Sequence, residues 1–217
     1  MVGKEFQKMA TAAKGASPPL LTYEQYMAEF LTEPPTMQPY EIIEGIRHFM
    51  NTPNWRHQRI VLNIAEALHR YEEESGKGVV GLLPFDVIIR RVPRLQTRQP
   101  DVFFVSHERL EQGGGVPAAG PLEVGPELVV EVLSPSETPC SLQGKLEDYR
   151  SIGVQECWIV SPDAETVQVL RLAPEKIETV ATYAYDHTLH SAIFPDLLSL
   201  PLPRFSPPEG EPGNAYL

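Results

Sequence analysis

A glutamate, Glu131, lies in the middle of a run of apolar, strand-forming residues at 128–133. An ionised carboxylate in the protein interior is costly unless it is paired with a cation or coordinates a metal ion. Glu131 therefore needs a partner, which is either a basic side chain in a structural salt bridge or a bound metal. Both interpretations stay open at this point.

A second carboxylate, Asp101, opens the apolar run at 102–105 directly after Pro100. Proline is tolerated at the first residue of a strand, and it fixes how the chain enters that strand. Taken alone, Asp101 is expected to be a residue at a loop edge that caps a nearby backbone group. It gains a functional interpretation only together with Glu131.

A lysine, Lys145, lies on the core-facing side of a helix predicted over 141–153. At about 100° per residue, the lysine falls within the apolar stripe of this helix, which consists of Leu142, Leu146, Tyr149 and Ile152. The lysine stem could extend outward to solvent. However, the helix follows the Glu131 strand after a loop of only about seven residues, so an inward lysine near an inward glutamate is the more economical interpretation.

Two carboxylates and one lysine at a shared point suit phosphodiester hydrolysis. Carboxylate oxygens bind Mg²⁺, which keeps several of its waters. The metal acidifies a water and stabilises charge on a phosphate oxygen. The lysine can position or deprotonate the attacking water, or steady the phosphoryl charge.

The elements that must position these residues are mixed helices and strands. Helices are predicted over 21–31, with Thr22 as the N-cap, over 54–75 and over 141–153. Strands are predicted as a hairpin over 40–50 and then over 78–83, 85–90, 100–106, 127–134, 156–162 and 166–172, with edge strands after them. The pattern predicts one mixed α/β (α+β) domain over 20–203, a loose leader over 1–19 and an extended Pro-rich tail over 204–217.

The overall composition argues against several classes of protein. The chain has 217 residues, of which 42% are hydrophobic, so it can bury a sizeable core. It has no apolar run of about 18 residues and no signal-peptide core, so a cytoplasmic protein without a membrane segment is expected. Its two cysteines, Cys140 and Cys157, indicate reduced thiols rather than a zinc site.

The net charge of −11 argues against a generally basic surface for nucleic acid, although it leaves room for a local basic groove. Four arginines precede Asp101 within nine residues, namely Arg90, Arg91, Arg94 and Arg98. They form either a solvated loop that balances nearby acids or a strip that contacts phosphates. Their closeness to Asp101 favours the phosphate strip.

Three segments, "PDVFFVS", "ELVVEVLSPS" and "KLEDYRSIGVQECWIVSP", resemble the Uma-two family of bacterial restriction endonucleases, which belongs to the PD-(D/E)XK nuclease superfamily. The segment "YEIIEG", followed by a helix that begins near His57, resembles the N-terminal half of that family. The resemblance spans residues 22–200. It implies a restriction-endonuclease-like fold, in which helices flank a mixed central sheet.

The resemblance also implies roles for single residues. Asp101 takes the place of the first acidic residue of the superfamily and Glu131 that of the second. The backbone carbonyl of Val132 is implied as a further ligand of Mg²⁺ or Mn²⁺. The superfamily lysine normally follows the second acid by two residues, where this chain has Leu133. In the Uma-two family it comes from the next helix, at the position of Lys145.

Three further positions carry two interpretations each. The family usually has an aspartate four residues before the lysine, where this chain has Ser141. Either residue can cap a helix, so the fold should survive while activity is in question. Glu44 is a solvated turn residue or an extra upstream acid of the site. His57 is a core or capping histidine or a member of the site.

The sequence therefore predicts a Mg²⁺-dependent DNA endonuclease, with a homodimer as the form typical of enzymes that cut both strands. A catalytically silent nucleic-acid-binding or regulatory protein on the same fold is the alternative, which Ser141 and the acidic composition favour. A third hypothesis is a protein–protein module in which Glu131 and Lys145 form a structural ion pair.

Overall fold

A computed structural model describes residues 19–32, 38–117, 119–184, 187–194 and 200–201. The predicted Pro-rich tail and all of the predicted leader except Pro19 lie outside these residues. Among the described residues, no helix is both long and apolar enough to cross a membrane.

Four helices lie within the described ranges: α1 Tyr23–Thr32, α2 Trp55–Ser75, α3 His107–Gln112 and α4 Pro139–Ser151. The three long ones confirm the predicted helices. Helix α2 begins at the N-cap Asn54, whose side chain accepts a hydrogen bond from the backbone N–H of His57. It ends at Gly76, whose φ of 59° is the left-handed conformation that favours glycine. Thr138 caps α4 in the same way as Asn54 caps α2.

The strands are β1 Tyr40–Ile43, β2 Ile46–Phe49, β3 Gly78–Leu82, β4 Val87–Arg90, β5 Gln96–Arg98, β6 Val102–Ser106, β7 Leu128–Val132, β8 Glu156–Ser161, β9 Thr166–Ala173, β10 Lys176–Ala184, β11 Thr188–Leu189 and β12 Leu200–Pro201. Six of them form the central sheet in the order β10-β9-β8-β7-β6-β3. Within this sheet β7 and β8 are parallel and the other pairs are antiparallel. Helix α4 connects the parallel pair, as such a crossover requires. The predicted mixed central sheet flanked by helices is confirmed.

The two faces of the sheet bury two separate apolar clusters. Helix α2 packs on one face, where Phe104 and Val130 lie. Helices α3 and α4 pack on the other face, where Phe103 and Val129 lie. Because side chains alternate between the faces of a strand, Glu131 lies on the same face as Val129, towards α4.

Two hairpins lie outside the central sheet. The predicted hairpin over 40–50 is confirmed as β1 and β2, joined by a turn at Glu44 and Gly45. The arginine-rich segment, predicted as a loop after one strand, instead forms a second hairpin of β4 and β5. A small buried cluster that includes Tyr26, Ile42 and Leu95 joins α1 to these hairpins.

Candidate active site

Asp101 and Glu131 come together at the junction of β6 and β7. These strands are antiparallel, and Val102 pairs with Val130. The next step in that register places Asp101 opposite Glu131. The carboxylate of Asp101 also accepts a hydrogen bond of 2.7 Å from the backbone N–H of Val132, which fixes Asp101 at the end of β7.

Glu131 is buried, and helix α4 supplies its partners. Lys145 Nζ lies 2.8 Å from Glu131 Oε2, and the Tyr149 hydroxyl donates to Glu131 Oε1 at 2.5 Å. Lys145 and Tyr149 are four residues apart, so they lie on one face of the helix. Lys145 is only 8% exposed, so its ammonium does not reach out to bulk solvent.

His57 joins the site from the first turn of α2. Its Nε2 lies 3.4 Å from Asp101 Oδ2. Burial alone would lower the pKa of His57, but the hydrogen bond and the charge of Asp101 outweigh burial and raise it. His57 therefore carries a positive charge more readily than a free histidine, next to the carboxylate of Asp101.

Glu41 is a member of the site that the sequence analysis missed. It is 5% exposed, accepts a 2.6 Å hydrogen bond from Arg98 and lies 4.0 Å from Lys145 Nζ. In β1, Glu41 and Ile43 alternate with residues of the other face, and both line the same pocket as Asp101. That alternation within "YEII" is the signal that could have pointed to Glu41.

Glu44, by contrast, lies at the exposed tip of the first hairpin, with a φ of 53°. It pairs with Arg90 and lies 3.7 Å from Arg94. It is not among the residues that line the pocket, so the structure does not bring it to Asp101, Glu131 or Lys145.

The four arginines do not form one continuous strip. Arg90 and Arg94 share Glu44, and Arg91 pairs with Glu123 at 2.6 Å. The side chain of Arg98 is instead only 6% exposed, and it lines the pocket. Its guanidinium lies between Glu41 and Asp148, 2.6 and 2.7 Å away.

The electrostatics of the site follow from burial. Removal from water raises the pKa of Glu131 to about 7, although the charge of Lys145 acts in the opposite direction. Burial alone would lower the pKa of Lys145, but the surrounding carboxylates, with Glu131 foremost, raise it. Lys145 is consequently a permanent cation at neutral pH.

One pocket of about 560 Å³ is lined by the residues brought together here, namely Glu41, His57, Arg98, Asp101, Glu131 and Lys145. Within the described part of the chain, three buried side-chain polar atoms have no hydrogen-bond partner: His57 Nδ1, Gln99 Oε1 and Glu137 Oε1. All three residues line this pocket. A buried polar atom without a partner costs about 1–3 kcal/mol, so their concentration here indicates a place where a ligand supplies the missing partners.

The donor atoms at the site suit a hard divalent cation. The described residues contain no group of three His, Cys, Asp or Glu side chains arranged to hold a metal. Mg²⁺, however, keeps several waters and needs only one or two carboxylates from the protein. Asp101, Glu131 and the carbonyl of Val132 offer oxygen ligands of that kind, and the unpartnered oxygens of Gln99 and Glu137 can accept hydrogen bonds from coordinated water.

Comparison with known proteins identifies the family of this chain. The model of the Uma2 family, which is described as "putative restriction endonuclease", matches residues 27–203. The chain belongs to the Uma2 family. The sequence analysis predicted this family from a resemblance over residues 22–200, and the match confirms that prediction.

A crystal structure of a protein from Anabaena variabilis ATCC 29413, described as a putative nuclease belonging to DUF820, has a similar fold. The two proteins are 20% identical, with a TM-score of 0.66 over 87% of the Uma2 chain and 97% of the Anabaena chain. At this identity the likeness shows the fold. No curated protein matches the sequence.

Proposed function

We propose that this Uma2 protein is a DNA endonuclease that hydrolyses phosphodiester bonds with Mg²⁺ or Mn²⁺. The observation that carries the proposal is the convergence of Asp101, Glu131 and Lys145, from three separate elements, on a single pocket. The buried Lys145–Glu131 contact of 2.8 Å is its centre.

Asp101, Glu131 and the backbone carbonyl of Val132 would hold the cation. When bound, the cation supplies an acidified water and neutralises charge on a phosphate oxygen. The backbone N–H of Val132 holds Asp101 by one oxygen, Oδ2, so Oδ1 remains to face a ligand. Each Glu131 oxygen accepts one hydrogen bond and keeps a second lone pair.

Lys145 acts as a charge rather than as a base. Its raised pKa keeps it protonated at neutral pH, so it cannot accept a proton from water there. Its ammonium can donate hydrogen bonds to a phosphate oxygen or orient the attacking water. Glu41, at 4.0 Å, and Glu137, at 3.6 Å, help to hold the ammonium in place.

Arg90, Arg91 and Arg94 remain predicted phosphate contacts. Their side chains are 39%, 51% and 52% exposed, so a DNA phosphate could compete for them with their present carboxylate partners. Arg98 is better suited to neutralise Glu41 and Asp148 from within the fold.

The experiment that tests the proposal is calorimetric titration of the protein with Mg²⁺ and with Mn²⁺. Wild type is compared with Asp101→Asn and Glu131→Gln, which remove charge while preserving shape, and folding is checked by circular dichroism. Metal binding by wild type alone justifies assays on plasmid, nicked and single-stranded DNA. Absence of binding by wild type, even with DNA present, contradicts the proposal.

A catalytically silent DNA-binding protein on the same fold is the second candidate. Lys145 and Tyr149 already donate to both oxygens of Glu131, an arrangement that also suits a purely structural ion pair. Ser141 lines the pocket where the Uma2 pattern usually has an aspartate. This candidate predicts DNA binding without metal-dependent cleavage, and the same assays distinguish it.

A further inference from the structure

Glu137 brings a further carboxylate into the pocket, beside the ammonium of Lys145. Its Oε2 lies 3.6 Å from Lys145 Nζ, and its side chain is 16% exposed. Within the described ranges, the other oxygen, Oε1, is buried and accepts no hydrogen bond. A buried acceptor is costly to leave without a donor, so Oε1 is suited to a ligand that donates a hydrogen bond to it.

Two local structures hold the backbone of Glu137 in place, one on each side of it. Before it, the chain makes a β-turn, in which the backbone N–H of Glu137 donates to the carbonyl of Ser134 at 2.9 Å. Serine at the first position and proline at the second are favoured in such a turn. After it, Thr138 is the N-cap of α4, and its side chain accepts a hydrogen bond from the backbone N–H of Ser141. Glu137 is therefore fixed between a turn and the start of a helix.

The other carboxylates of the pocket already have donors or a different role. Both oxygens of Glu41 and both oxygens of Glu131 accept hydrogen bonds. Asp101 accepts a backbone hydrogen bond and is a proposed ligand of the cation. The side chain of Asp163 is 87% exposed, at the edge of the pocket. Among the described carboxylates that line the pocket, Glu137 is thus the one with a buried oxygen that has no partner.

The ammonium of Lys145 gives this free oxygen a chemical use. An ammonium has three N–H donors, and among the described carboxylates only Glu131 lies within hydrogen-bond distance of Lys145 Nζ, at 2.8 Å. A water that accepts a hydrogen bond from Lys145 and donates one to Glu137 Oε1 satisfies both groups. Because its raised pKa keeps Lys145 protonated at neutral pH, the lysine can hold that water but cannot take a proton from it.

We propose that Glu137 is the general base of the site, with Oε1 accepting a proton from the water that attacks the DNA phosphorus. The inference rests on the proposed function, because it assigns a catalytic residue to that same reaction. Burial alone would lower the pKa of His57, but the hydrogen bond and the charge of Asp101 raise it. The ring of His57 is therefore less suited than Glu137 to accept a further proton.

The step conserves atoms and charge. The water oxygen forms a bond to phosphorus while its proton moves to Glu137 Oε1. The bond between phosphorus and the leaving deoxyribose oxygen breaks, and that oxygen keeps the electron pair and takes a proton from solvent. Glu137 then returns its proton to solvent, so the reaction consumes one water and needs no redox partner.

Glu137→Gln tests this role, because it keeps the shape of the side chain and one accepting oxygen but cannot take up a proton. The single-turnover rate of plasmid cleavage in Mg²⁺ should fall about 100-fold or more. The affinity for Mg²⁺ by calorimetry, the affinity for a dye-labelled DNA duplex by anisotropy and the urea midpoint should match those of wild type, because Glu131 still holds Lys145. Glu147→Gln is the matched control, because Glu147 is exposed on α4, pairs with Arg150 and does not line the pocket.

Chemical rescue separates a base from a fixed charge. Glu137→Ala removes a group of the size of acetate, so it leaves space for that ion. Acetate should restore part of the cleavage by Glu137→Ala, and fluoroacetate, which has nearly the same shape but is less basic, should restore less. Glu137→Gln fills the space and should respond to neither ion. Equal rescue by the two ions assigns only a charge to Glu137 and overturns the inference.

The outcomes also separate this inference from the proposed function. Cleavage by Glu137→Gln at the wild-type rate overturns the inference and leaves the nuclease intact. A loss of activity that comes with an equal loss of DNA affinity, or with a lower urea midpoint, assigns Glu137 to holding Lys145 and also overturns it. Absence of cleavage by wild type in both Mg²⁺ and Mn²⁺ contradicts the proposed function and the general base together.

Discussion

Replacement of Lys145 by methionine should destabilise the protein by about 3–5 kcal/mol at pH 7.5 in the presence of a chelator. Methionine approximates the apolar stem of lysine and removes only the ammonium. Removing one partner of a buried ion pair leaves the other charge uncompensated, which costs about 3–5 kcal/mol. Glu131, only 4% exposed, is the charge that Lys145→Met would leave behind.

The structure places the expected cost near the lower end of that range. The Tyr149 hydroxyl still donates to Glu131, and Arg98 still neutralises Glu41. Glu137, 3.6 Å from the ammonium, also loses its cation, but its side chain is 16% exposed against 5% for Glu131. The loss therefore falls mainly on Glu131, at about 3 kcal/mol. Glu131 can also escape its charge by taking up a proton, because burial already raises its pKa to about 7.

That proton gives the prediction a pH dependence. A carboxyl group whose pKa is raised in the folded state contributes stability below its ordinary pKa, and this stability is lost as the pH rises through the folded value. Loss of the lysine charge raises the pKa of Glu131 further. Because wild type loses the same stability up to about pH 7, the cost of Lys145→Met relative to wild type should be only about 1 kcal/mol larger at pH 7.5 than at pH 5.

Urea unfolding followed by circular dichroism measures this effect. Lys176→Met is the control, because Lys176 is exposed and pairs with Glu178 at the surface, where solvent screens the charges and an ion pair contributes little to stability. In the double variant, Glu131→Gln should recover much of the stability that Lys145→Met loses. If Lys145→Met costs no more than the control, or if the two site substitutions simply add, the ion-pair reasoning is refuted.

Three further predictions concern the same site. Asp101→Asn should abolish calorimetric Mg²⁺ binding while the protein stays folded; unchanged affinity would remove Asp101 from the metal site. Relative to wild type, the free energy of unfolding of Glu131→Gln should increase by at most about 3 kcal/mol as the pH rises from 4.5 to 7 in chelator, because the amide cannot ionise. Urea unfolding at both pH values measures this change, and an equal difference at the two pH values would contradict it. Asn54→Ala should lower the free energy of unfolding by about 1 kcal/mol, because it removes the N-cap of α2. It should also lower the pKa of His57, because the contact of His57 with Asp101 becomes looser. NMR titration measures this pKa, and Asn51→Ala is the control.

Much of the site could be predicted from local pattern. The apolar stripe of α4 placed Lys145 towards the core, and the apolar run around Glu131 predicted a buried strand. Both predictions depend on the periods of helix and strand, which act over a few residues. They hold because α4 packs directly on the strand that precedes it.

The parts that depended on distant pairing could not be predicted. Glu41 becomes a site residue only because Arg98, 57 positions later, neutralises it inside the fold. Charged residues are rarely buried without a partner. A run of arginines is therefore predicted to be exposed when its carboxylate partners are far away in the sequence. The sequence pattern indicated Glu44 as a possible acid of the site because of its turn position, and it gave no such turn signal for Glu41.

The Glu131–Lys145 contact spans only 14 residues of chain, within the β7–α4–β8 unit. Contacts that are short in sequence form with little loss of chain entropy and favour rapid folding. We expect this unit to acquire protection early in pulsed hydrogen exchange, before β1 and α2 deliver Glu41 and His57. Simultaneous protection of all these elements would contradict that order. With the expected order, the pocket matures in two kinetic stages: its charged centre forms first, and its rim, including Phe49, is added last.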